Sequence, residues 1–254
     1  MTEEEIAVVE RNRVAQLEPH DRKTILFTRV LTKLKEQCAY FSLLTVKRAL
    51  SNASIELADD TLREYMSEAM KAGIVSNAGR GWYSRHISPV CLDPKPVAKI
   101  IRAVKKAFPL LDFCCWSTVQ FNPFAQHLIA QPTILLYADS DTLSTVAVVL
   151  KESGWDAWAN PGKADVERFI RPGEKTVILR PAKSDQPEGK DHVAPIEKAL
   201  ADLAVEANKL QLMDAAEVQR ILDAVFGAGL LQLTILFGYA EDLKKKIESR
   251  ELTH

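Results

Sequence analysis

A chain of 254 residues, 47% hydrophobic and 26% charged, has the balance of a globular protein with room for one large or two ordinary domains. It contains no apolar run long enough for a membrane-spanning helix, and its four cysteines, Cys38, Cys91, Cys114 and Cys115, form no CxxC pair, so reduced, buried thiols are expected. The net charge of −1 hides a segregation: residues 21–106 hold 16 Lys and Arg against 8 Asp and Glu, and the remainder of the chain is acidic. A basic block of domain size is the pattern expected when one domain meets a polyanion, although two solvated surfaces produce it too.

The first residues, MTEEEIAVVERN, are acidic and lack the basic-then-apolar order of a secretion signal, so a cytoplasmic protein with reduced thiols is expected. A helix is expected over residues 4–18. A second starts near Asp21 and runs to about Cys38, with Phe27, Val30, Leu31, Leu34 and Cys38 recurring at three and four. Ser42 is placed to cap a third helix whose Leu43, Val46 and Leu50 face inward. Asp59 or Asp60 is expected to cap a fourth over 60–72, with Leu62, Met66, Ala69 and Met70 as its inner stripe and Gly73 ending it in the left-handed conformation.

Ile74 and Val75, the Gly-rich stretch 76–81 and then Trp82 to Arg85 spell two short strands around a basic tip. Three helices followed by such a hairpin predict a winged helix-turn-helix, with the 60–72 helix in the major groove and the hairpin as wing. Residues 89–96 carry three prolines and read as a linker, and a basic helix follows over about 96–108.

Beyond it, strand-like segments at 111–119, 133–137, 157–159 and 176–179 alternate with a helix at 143–153, and three helices occupy the last sixty residues, about 194–209, 214–226 and 230–249. Cys114 and Cys115 are adjacent in the first of these strands and are expected on opposite faces. The expected fold class is therefore α+β: an N-terminal helix and a winged helix-turn-helix over 1–88, a linker over 89–96, and over 97–254 an α/β domain with a small sheet and a helical C-terminal end.

The residues expected to reach duplex DNA are Arg63, Ser67 and Lys71, spaced by four along the 60–72 helix, with Thr61 at its start. Glu64 and Glu68 lie beside that strip and oppose a phosphate backbone. Arg80 stands between two glycines at the wing tip, Arg85 follows the returning strand, and Lys47 and Arg48 on the preceding helix are placed for phosphates. The alternatives are a winged helix that holds protein, and a turn that needs its glycines for backbone reasons alone.

Catalytic signatures are missing: there is no GxSxG, no HExxH and no phosphate loop, and the five histidines lack metal-ligand spacing. Asp139 and Asp141 after a strand admit a nucleotide-acting, metal-dependent enzyme, while Ser140 and Thr142 beside them fit a helix opening capped by Asp141. No enzyme activity, cofactor or metal is expected.

The segments MKAGIVSNAGRGWYSR, WSTVQFNPFAQHL, TILLY, PIEKALADL and FGYAEDLKKKIE, in that order, resemble the AbiEi-type antitoxins of type IV toxin–antitoxin systems and their bacterial relatives. The resemblance runs from about residue 21 to 249. It places the wing at Gly79 to Tyr83 and marks the C-terminal domain by Trp116, Thr118, His127, Pro195, Glu197 and Lys198. It implies an autorepressor that binds inverted repeats in double-stranded promoter DNA. It also implies a C-terminal domain that counteracts a nucleotidyltransferase-like toxin without a stable complex, in a monomer or weak dimer away from the membrane.

Overall fold

The computed structural model describes residues 19–86, 91–129, 132–183 and 186–251. The helix expected over 4–18 lies outside them. The chain is mixed α and β, with helices and two small sheets, and divides into two units: Met1–Pro89 with Phe226–Thr234, and Val90–Val225 with Ile235–His254. No described helix is long and apolar enough to cross a membrane.

In the first unit, α1 (Pro19–Ile25) passes through a π turn, Leu26–Val30, into α2 (Leu31–Gln37). The Leu31 amide donates to the Leu26 carbonyl five residues back, and that wider turn brings both leucines, otherwise well apart around a helix, to full burial. Strand β1 (Tyr40–Ser42) follows. Ser42 then caps α3 (Leu43–Asn52) through the Thr45 amide at 3.2 Å, and Val46 and Leu50 face the core.

The next helix, α4 (Asp59–Lys71), has no side-chain cap. Ala58 occupies the cap position, and Asp59 and Asp60, expected as caps, sit in the first helical turn, where the dipole favours them. Leu62, Met66 and Ala69 are buried. Gly73 turns left-handed at φ +67°, and the hairpin β2 (Ser76–Gly79) and β3 (Trp82–Ser84) follows. The first hairpin strand thus starts two residues later than Ile74 and Val75, and Val75 instead fills the core ahead of it.

The sheet order is β1-β3-β2, all antiparallel. Tyr83 stacks on Phe41 and closes a core that includes Leu26, Leu31, Val46, Leu50, Leu62 and Met66.

In the second unit a 3-10 turn, Lys95–Val97, leads into α5 (Ala98–Ala107), which buries Ile100 and Val104. The sheet comprises β4 (Phe113–Ser117), β5 (Thr133–Ala138), β6 (Asp156–Ala159) and β7 (Thr176–Pro181) in the order β4-β5-β7-β6, parallel except for the β4–β5 pair. Helix α6 (Leu143–Glu152) connects β5 to β6, and α7 (Lys163–Phe169) connects β6 to β7.

Every residue of β4 and β5 is buried, as strands covered on both faces must be. Cys114 and Cys115 point to opposite faces and are both inside. The segment expected as one strand over 111–119 stops at Ser117, where Ser117 and Gln120 form a capping box for a 3-10 turn, Thr118–Phe124. Three helices complete the chain: α8 (Ile196–Lys209), α9 (Ala215–Ala228) and α10 (Leu233–Glu251).

Candidate nucleic-acid interface

Helix α4 presents its outer side with Arg63 and Lys71 exposed and Thr61 and Ser67 half-buried. Two of the expected cations are already matched by acids of the same helix. Lys47 on α3 donates to Asp59 at 2.5 Å, and that hydrogen bond, followed by the ammonium's charge, holds the Asp59 carboxyl below its ordinary range. Arg63 pairs with Asp60 at 3.2 Å, one turn away. Both pairs are exposed and of little energetic weight, so an incoming phosphate can exchange with them. Glu68, expected to repel a phosphate, is paired with Lys23 of α1. Arg48, Lys71 and Arg80 form no ion pair among the described residues.

At the hairpin tip Gly79 and Gly81 both take positive φ, +109° and +79°. They differ in what surrounds them. A Cβ at Gly81 would meet open space, whereas at Gly79 it would lie 2.0 Å from the Thr234 hydroxyl oxygen. Arg80 between them is exposed. Trp82 lies on the outer face, 44% exposed, and Tyr83 on the inner one, where burial raises its hydroxyl pKa.

The segment Phe226–Thr234 ties this sheet down. Ser84 Oγ donates to the Gly229 carbonyl at 2.6 Å, the Leu231 amide donates to Tyr40 Oη at 2.7 Å, and Gln232 Nε2 donates to the Asn77 carbonyl at 2.6 Å. Arg85, expected at the nucleic acid, donates from one guanidinium nitrogen to the Gly227 carbonyl at 2.7 Å. This one nitrogen is engaged by the strap, while the side chain stays exposed. No local sequence pattern could have paired Arg85 or Ser84 with a glycine-rich stretch more than 140 residues away.

The second unit holds a buried polar cluster that composition and spacing did not single out. Lys198, fully buried on α8, donates to Asp202 at 2.8 Å and to Tyr239 Oη at 2.7 Å, and Tyr239 Oη donates to the other Asp202 oxygen at 2.8 Å. The ammonium also lies 3.4 Å from the centre of the Tyr137 ring. Burial first, then the Asp202 charge, raises the pKa of both tyrosines. Burial pushes the Cys114 thiol up to about 11, Lys198 pulling the other way.

Each donor of the Lys198 ammonium has an acceptor or a π face, the arrangement of an ion pair that organises a core. A Lys and an Asp four apart in EKALADL, residues 197–203, was the available signal. The resemblance alone pointed to Lys198 and Glu197.

Asp139 and Asp141 form a turn: Asp139 Oδ1 accepts the Asp141 amide at 3.0 Å, and the Thr142 hydroxyl donates to the Asp139 carbonyl at 2.7 Å. The cap position of α6 is Thr142, with no side-chain cap bond, so Asp141 is not the cap. Among the described residues no three His, Cys, Asp or Glu gather as a metal site.

Residues 61–254 match the family of unknown function DUF6577. The chain belongs to that family. No curated protein matches the chain. The DUF6577 match begins inside α4 and takes in the β2–β3 hairpin, α5 and the Lys198 cluster, leaving out α1 to α3.

Proposed function

We propose that this DUF6577 protein is a duplex DNA-binding transcriptional regulator whose first unit is a winged helix-turn-helix. The order of elements supports it: helix, β1, α3, α4, then a hairpin whose second strand pairs with β1. In that arrangement α4 is the recognition helix and β2–β3 the wing. The observation that carries the reading is Arg80, exposed and unpaired among the described residues, on a tip that Gly79 and Gly81 allow to turn. Lys71 and Arg48 supply further unpaired cations, and Ser67 lies one turn before Lys71 on α4.

The resemblance to AbiEi-type antitoxins extends the proposal: the chain represses its own operon at inverted repeats, and its second unit counteracts a nucleotidyltransferase-like toxin. Neither step requires a cofactor or a catalytic group.

The test compares Arg80→Ala with Arg85→Ala by fluorescence anisotropy on a labelled duplex. Loss of one phosphate contact lowers the slope of log K against log salt by about 0.9. Arg80→Ala is expected to show that loss. Arg85→Ala, whose partner is the Gly227 carbonyl, is expected to keep the wild-type slope. An unchanged slope in Arg80→Ala would remove the wing tip from the interface.

A further inference from the structure

We propose that the exposed face of α5, in the second unit, is an additional docking surface for the phosphate backbone of duplex DNA. The proposal rests on the chain being a duplex binder, and adds a surface outside the winged helix. The face carries Lys99, Arg102, Lys105 and Lys106, and Lys95 precedes it in the 3-10 turn, all exposed. At 100° per residue, Lys99, Arg102 and Lys106 fall within an arc of about 60°, with Lys95 one turn before them. The opposite face is apolar: Val97, Ile100 and Val104 are fully buried.

Three observations separate this stripe from an ordinary solvated surface. It contains no acid, and none of its cations forms an ion pair among the described residues, whereas Lys47 and Arg63 of the first unit are both paired. The remainder of the second unit is acidic, 22 Asp and Glu against 15 Lys and Arg, so partners were available in composition and were not placed here. Lys95 and Lys99 also stand at the start of the helical segment, where the dipole opposes positive charge; only Lys105 and Lys106 lie in the last turn, where it favours them. Helix stability therefore does not explain the pattern.

Successive cations three or four residues apart advance about 5–6 Å along the helix, a spacing able to follow successive phosphates of one strand. Such contacts carry charge and no sequence information, so this face is expected to add affinity on any duplex.

The test is the triple variant Lys99→Gln, Arg102→Gln, Lys106→Gln in the full chain, titrated with salt against a labelled 30-base-pair duplex of mixed sequence. Glutamine keeps the helix propensity of lysine and arginine, and an unchanged thermal transition verifies folding. The salt slope is expected to fall by about 2 to 3, close to 0.9 for each of three phosphates. A triple variant with the wild-type slope overturns the proposal for α5 and leaves the winged helix standing. Wild-type protein that fails to bind the duplex at low salt overturns both. Loss of binding to phosphatidylserine vesicles with an unchanged duplex slope assigns the face to a membrane surface and overturns it as well.

Discussion

Single side chains divide here into those that complete the fold and those left over. Arg85 and Ser84 donate to carbonyls of the 226–234 segment, Lys47 and Arg63 stand in exposed, exchangeable pairs with carboxylates, and Arg80 pairs with nothing among the described residues. Sequence spacing put Arg63, Lys71 and Arg80 at outward positions, but it did not show which charges the fold already engages, Arg85 above all, whose partner lies 142 residues away. Lys198 is the extreme case, a fully buried ammonium with Asp202 and Tyr239 as its acceptors.

Removing one member of such a pair strands the other charge in a dry interior, at a cost of about 3–5 kcal/mol. Lys198→Ala is expected to lose that much stability in urea unfolding followed by tryptophan fluorescence. Lys198→Met combined with Asp202→Leu, which removes both charges, is expected to recover most of it. A single variant as stable as the wild type would show that the cluster is not an ion pair.

Among the elements, those signalled by adjacent residues were legible. The Ser42 cap of α3, the Leu62, Met66 and Ala69 stripe of α4 and the left-handed Gly73 all stand where local pattern put them. Strand β1 was not legible: three residues carry no alternation to detect, and its partner β3 lies about forty residues on. Helix α7 escaped notice for a similar reason, since only Val166 of its seven residues is buried.

The hairpin makes a prediction at this scale. Both tip glycines need positive φ, which costs another residue about 1–2 kcal/mol. Gly79 also packs directly on Thr234, while Gly81 faces open space. Gly79→Ala is therefore expected to lower the thermal transition clearly more than Gly81→Ala. Equal effects would mean that the 226–234 segment does not hold the hairpin.

For the molecule as a whole, charge segregation was the most informative feature of composition, and the structure refines where that charge sits. Of the 16 basic residues in 21–106, five are gathered on α5 and the 3-10 turn before it, in the second unit, and several of those in the first unit are paired. The first unit also draws Phe226–Thr234 from the far end of the chain, a feature that no reading by contiguous segments anticipates. The DUF6577 match, residues 61–254, spans the hairpin and the second unit together.

The most direct test is the affinity of the full chain for duplex DNA measured across sodium chloride from low to physiological concentration. The account predicts binding at low salt and a linear fall of log K with log salt, at about 0.9 per phosphate engaged. Absence of binding at low salt, or an affinity indifferent to salt, would contradict it.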